Sequence, residues 1–211
     1  SGITIPTAQY VTKEGASHLN IGSSSPRVRD IGAGSFSIIG LDNVSAKFAA
    51  TDVFEQKFRK AAFIAPNNAY GQGVADEFEK GVKGAGGKTV AREFTSDKAT
   101  DFTAILTSIK AKKPDVVFFG GMDAVAGPMM RQMKQLGIDA KFMGGDGICS
   151  SELPKLAADG MGEETVFCAE AGGVEGEQKA GMDKFRADFK AKFGADVQVY
   201  APYVYDAVKV M

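Results

Sequence analysis

The sequence predicts an α/β fold with parallel sheets flanked by helices, on three observations. Apolar runs of strand length alternate with segments of helical apolar spacing along the whole 211 residues. Residues 61–94 read as strand, loop, helix and strand, a βαβ unit that requires a parallel pair. Asp115–Phe119 carries the unbroken run Val-Val-Phe-Phe, of the kind buried on both faces of parallel sheets.

The elements follow in order. Ile5–Glu14 can form a helix, with Pro6 in its first turn. Ala16–Ile21 is a short strand that runs into Gly-Ser-Ser-Ser-Pro, residues 22–26. Ser35–Leu41 is a second strand, and Asp42 or Ser45 can cap a helix over Val44–Lys57. Ala61–Ala65 is the next strand, broken by Pro66, Asn67 and Asn68. Ala69–Lys83 then places Val74, Phe78 and Val82 on one helical face and Asp76, Glu77, Glu79 and Lys80 on the other. Gly84, Gly86 and Gly87 stop that helix, and Thr89–Phe94 is extended. Asp97 or Thr100 opens a helix with Phe102, Ile105, Leu106 and Ile109 on one face. Beyond the strand at 115–119 and Gly120-Gly121, the Met-rich helix Ala124–Leu136 reads as core packing. Lys141–Gly144 is a strand, Ser151–Ala157 a helix and Thr165–Cys168 a strand. Gln178–Phe193 is a long amphipathic helix, and Pro202 starts a last one.

Composition excludes some functions. A net charge of −1 points neither to nucleic acid nor to an anionic membrane. No apolar run approaches the roughly 18 residues of a membrane helix. The first residues, SGITIPT, and the last, YDAVKVM, both read as internal to a larger protein, so no compartment is inferred from them. His18 is the only histidine, which argues against a serine or cysteine triad. With only Cys149 and Cys168 beside it, no zinc site is expected. Those cysteines are either reduced, buried thiols or a disulfide closing a loop of about 20 residues, which implies an oxidising compartment. One lies in a strand-end loop and the other in a strand, and the two can be neighbours. Gly71, Gly73 and Glu93 match part of a dinucleotide fingerprint, but Asp76 holds the third glycine position. Its carboxylate would sit beside the pyrophosphate, so no nucleotide cofactor is expected.

Parallel sheets bind ligands at the carboxyl ends of their strands. Asn67, Asn68 and Tyr70 lie at one such end. The serines of residues 22–26 lie at another, where the bland reading is a capped turn. Asp146, in Gly-Gly-Asp-Gly, lies at a third, where Asp beside Gly is common turn chemistry. Together, hydroxyls and backbone N–H groups at one end and a carboxylate at the other suit a zwitterion.

The segments IAPNNAYGQGVADEF, DVVFFGG, FMGGDGICSS and YAPYVYDAV, in this order and spacing, resemble the periplasmic leucine/isoleucine/valine-binding proteins of bacterial ABC transporters. The resemblance covers nearly the whole chain. It implies a two-lobed, type I periplasmic-binding-protein fold with the ligand clamped between lobes. Residues 43–170 would form the second lobe. Residues 1–42 and 171–211 would be pieces of the first, which is then incomplete. Position by position, Ser1, Gly22, Ser23 and Ser24 match the carboxylate-binding set. Tyr70 matches the aromatic after the strand-end asparagines, and Tyr203 an aromatic near the hinge. Asp146 matches the acidic residue that holds the ammonium, one methylene shorter than the usual glutamate. Met122 stands where the best-known members have an aromatic, which implies a differently shaped side-chain pocket. The cysteine pair resembles a disulfide-bonded subset of the family. The resemblance further implies capture of a branched-chain amino acid in the periplasm and delivery to an inner-membrane permease. It implies no catalysis, no cofactor and no membrane insertion. Two rival readings are a ligand-sensing domain of the same fold, and an α/β enzyme using Asp146 or Asp123 as a base.

Overall fold

In a computed structural model the strands fall into two sheets, parallel throughout. All residues are described except Ser1, Gln56, Glu163, 171–173 and Glu175. The smaller sheet pairs β1 (His18–Asn20) with β2 (Ser35–Ser37). The larger holds β3 (Lys60–Pro66), β4 (Lys88–Thr95), β5 (Val116–Phe119), β6 (Lys141–Gly144) and β7 (Val166–Cys168) in the order β4-β3-β5-β6-β7. The helices are α1 (Thr4–Lys13), α2 (Asp42–Glu55), α3 (Ala69–Gly84), α4 (Thr103–Lys112), α5 (Asp123–Gln135), α6 (Leu153–Ala157), α7 (Gln178–Phe193) and α8 (Ala201–Val210).

The larger sheet is covered on both faces, which is why β3 and β5 are apolar without alternation. Strand geometry still sorts their side chains by period two. Ala62, Ile64, Val117 and Phe119 face α4 and α5, where they meet Leu106, Ile109, Met129 and Met133. Phe63, Val116 and Phe118 face α2 and α3, where they meet Ala46, Ala50 and Phe78. Phe78 stacks on Phe118 with ring centroids 4.1 Å apart. The expected Met-rich helix is thus core, as its spacing implied. Asn68 starts α3 by accepting a hydrogen bond from the Gly71 N–H at 2.8 Å, so the strand-end asparagine serves as a helix cap.

Some elements differ from the sequence expectation. β1 and β2 are shorter than Ala16–Ile21 and Ser35–Leu41. Among the described residues each has one neighbour, so pairing supports only a few residues of either run. Between them lies a 3₁₀ helix, Pro26–Ile31, that lacks the apolar periodicity needed to announce it. Pro26 opens it, and Gly32 closes it at φ 112°, a conformation open to glycine.

Outside the larger sheet and its helices, apolar side chains face outward. Tyr10, Phe36, Phe193, Val208 and Val210 are all more than half exposed, and α7 buries none of its residues.

Cys149 and Cys168 are bonded, with Cα atoms 5.6 Å apart. β6 and β7 are paired neighbours, with Gly144 beside Cys168, so the bond ties the loop after β6 to the end of β7. A cross-link over 19 residues of sequence stabilises by about 3 kcal/mol in the chain-entropy account. Replacing both cysteines by serine is expected to lower the unfolding free energy by about that amount in chemical denaturation. Native protein denatured without reductant should yield no titratable thiol.

Candidate functional site

The loop after β6 is built to present one side chain. Ile148 is buried and anchors it. A Cβ on Gly147 would lie 2.6 Å from the Gly121 carbonyl oxygen and 2.9 Å from Tyr70 Oη. Only glycine lets this loop lie flat against the loop after β5. Between Gly145 and Gly147 stands Asp146, 8% exposed.

Two phenols hold its carboxylate. Tyr70 Oη, from the start of α3, donates to Asp146 Oδ1 at 2.7 Å. Tyr200 Oη, from the residue before α8, donates to Asp146 Oδ2 at 2.8 Å. The Gly147 N–H donates in turn to Tyr70 Oη at 3.2 Å. Burial, and then the charge of Asp146, raise the pKa of both phenols well above the ordinary tyrosine range. Both therefore remain protonated donors. An ionised carboxylate has about four lone-pair sites, so two phenols leave room for a cation.

Asp42 lies beside this group. It is the first residue of α2, 3% exposed, and its N–H donates to the Ser24 carbonyl at 2.7 Å. Its side chain and those of Ser24, Ser45 and Val74 border a small cavity with Asp146. Burial raises the Asp42 pKa to about 7; Ser24 opposes the rise, while the charges of Asp146 and Glu77 add to it. Neither Asp42 Oδ2 nor Ser24 Oγ makes a hydrogen bond of good geometry among the described residues.

The serine cluster lies at the end of β1. Ser23, Ser24 and Ser25 are buried, and Gly22 is exposed. Asn20 shapes the turn: its Oδ1 accepts from the N–H of Ser23 at 2.9 Å and of Gly22 at 3.4 Å, and its Nδ2 donates to the Ser23 carbonyl at 2.8 Å. Ser25 Oγ lies against Gly73 of α3, so the cluster faces the larger sheet's strand ends. Ser1 lies outside the described residues.

Met122 immediately precedes α5 and is 47% exposed, with its sulfur over Gly147. Tyr203 lines a neighbouring cavity with Cys149, Glu170, Arg186 and Asp206, and burial and then the charges of Glu170 and Asp146 raise its pKa. Tyr200 and Tyr203 are three residues apart, and nothing in the sequence separated their roles. Asp42 read only as a cap, because its burial depends on the return of the chain against Ser24. Asp123, the alternative base, accepts a hydrogen bond from the Ser150 hydroxyl.

Two parallel sheets thus bring a buried carboxylate and a hydroxyl cluster to facing strand ends. A family model described as periplasmic binding protein matches residues 1–211, and the chain belongs to that family. It is 33% identical over 212 residues to the Leu/Ile/Val-binding protein homolog 1 of Brucella abortus, a match covering 99% of this chain and 56% of that protein. It is 30% identical over 213 residues to the leucine-, isoleucine-, valine-, threonine-, and alanine-binding protein of Pseudomonas aeruginosa, covering 100% of this chain and 56% of that one. The chain thus spans about half the length of the curated relatives it matches. Among solved structures, the branched-chain amino acid transporter substrate-binding protein of Streptococcus pneumoniae, in complex with isoleucine, matches with a TM-score of 0.82 at 25% identity. That match covers 99% of this chain and 60% of the other. A leucine-binding protein of Thermotoga maritima shares the fold with a TM-score of 0.84 at 21% identity, over 98% of this chain and 58% of that one.

Proposed function

We propose that this chain is the ligand-gripping part of a solute-binding protein that captures a branched-chain amino acid and delivers it to an inner-membrane ABC permease. The observation that carries this reading is Asp146, buried at a strand end and held by two phenols on a cavity it shares with Ser24. Asp146 takes the ammonium. Ser1, Gly22, Ser23 and Ser24 form the carboxylate end, with Asn20 fixing the turn. The ring of Tyr70 and the flexible Met122 border the aliphatic end. No bond is made or broken; the ligand stabilises a closed arrangement of the lobes. The disulfide fits an oxidising compartment, the periplasm, and separates this reading from a cytoplasmic sensor of the same fold.

Residues 43–170 constitute the second lobe, and residues 1–42 and 171–211 contribute to the first. The outward apolar side chains Tyr10, Phe36, Val208 and Val210 are covered by further polypeptide of the same protein or by a second copy. The test is a thermal-shift screen of the full-length protein against the common amino acids. A ligand at 100 times its Kd stabilises by about 2.7 kcal/mol, so leucine, isoleucine or valine is expected to raise the midpoint by several degrees. A screen in which no amino acid moves the midpoint refutes the reading.

A further inference from the structure

We propose that Asp42 is a second acidic group of the ammonium end, shedding its proton to solvent as the ligand's cation settles beside Asp146. The proposal rests on the amino acid reading given above and adds a residue and a proton to it.

Three observations carry it. Asp42 is almost wholly buried, yet among the described residues Oδ2 has no hydrogen-bond partner of good geometry, nor has Ser24 Oγ beside it. A carboxyl that serves only as a helix cap would spend its oxygens on backbone N–H groups. Leaving a buried polar atom unpaired is costly, so its retention calls for a partner that arrives from outside. Second, Asp42 and Asp146 border one cavity, of about 10 Å³, enough for a group the size of water or an ammonium. Third, two charged neighbours of Asp42 are of its own sign and oppose its ionisation, Asp146 from the loop after β6 and Glu77 from α3. The phenols of Tyr70 and Tyr200 are neutral donors turned on Asp146. Ser24 favours a charged Asp42, but burial outweighs it and holds the carboxyl about half protonated near pH 7.

An arriving ammonium reverses that balance. It favours the ionised carboxylate, the O–H bond breaks, and the proton leaves to buffer. Binding that releases a proton strengthens as pH rises, and levels off well above the pKa of the unliganded site. A fall of about two units in that pKa on binding gives about a tenfold gain in affinity between pH 6 and pH 8.

The experiment is calorimetric titration of the full-length protein with leucine at pH 6, 7 and 8, in buffers of different ionisation enthalpy. Wild type is expected to release about half a proton at pH 7 and to bind about tenfold more tightly at pH 8 than at pH 6. Asp42→Asn should fold, bind, and lose both the proton release and the pH slope. Wild type that releases no proton overturns the proposal without recourse to any variant. So does an Asp42→Asn protein that retains the wild-type slope. Asp146→Asn keeps the two readings apart. Leucine binding undiminished in Asp146→Asn refutes the amino acid site itself. Binding lost there, with an unchanged pH profile in Asp42→Asn, refutes only the role of Asp42.

Discussion

Asp146→Ala in the full-length protein is expected to weaken binding of leucine by roughly 10- to 150-fold. The figure is the worth of one charge-assisted hydrogen bond in a closed cleft, about 1.5–3 kcal/mol. The substitution removes the acceptor for the ammonium and for both phenols at once. Tyr70 is part-buried, and its hydroxyl loses its acceptor while keeping only the Gly147 N–H, a further cost of about 1 kcal/mol in folding stability. Asp146→Asn separates the two losses, because the amide oxygen still accepts from one phenol but carries no charge. Calorimetry and denaturation of both variants check the prediction. If Asp146→Ala binds leucine with wild-type affinity, the ammonium is held elsewhere.

Phe78→Ala is expected to lower the unfolding free energy by about 3–5 kcal/mol, the usual range for deleting a buried aromatic from a well-packed core. Phe78 is fully buried on α3, stacked on Phe118 and edge-on to Phe63 at 5.7 Å. These contacts hold α3 on the sheet, and α3 carries Tyr70 at its start. The site cannot collapse readily, because its neighbours belong to α2, α3 and two strands. Urea denaturation measures the loss. A change below about 1 kcal/mol would show that the ring stack contributes little to the core.

The larger sheet and its helices were legible because each face declared itself. Val74, Phe78 and Val82 mark one side of α3, and the unbroken apolar strands mark a sheet covered twice. Asp146 stood out as an acid between glycines at a strand end, although turn chemistry also places Asp there. Its partners did not. Tyr70 was expected to offer a ring to the ligand, whereas its hydroxyl also binds Asp146 across 76 residues of sequence. Tyr200 was not singled out because the helix that Pro202 opens brings its phenol to Asp146 only once it is docked. Asp42 carries the ordinary signature of a helix start, and its burial comes from a chain return that no local pattern records. Local chemistry is written in the sequence; pairings across the cleft depend on where the two walls meet.

The close fit of the loop after β6 against its neighbour constrains how such a protein can diversify. Gly147 has no room for a side chain, and an added methyl would strike both the adjacent backbone and the phenol that steadies Asp146. Change at this end is therefore met with loss of the grip itself. Met122, half open to solvent and unbranched, stands under no such limit. If Met122 borders the ligand as proposed, descendants of this chain can alter the shape of the cargo one residue at a time. The proposed grip of Asp146 on an ammonium is, by contrast, held in place by the backbone around Gly147.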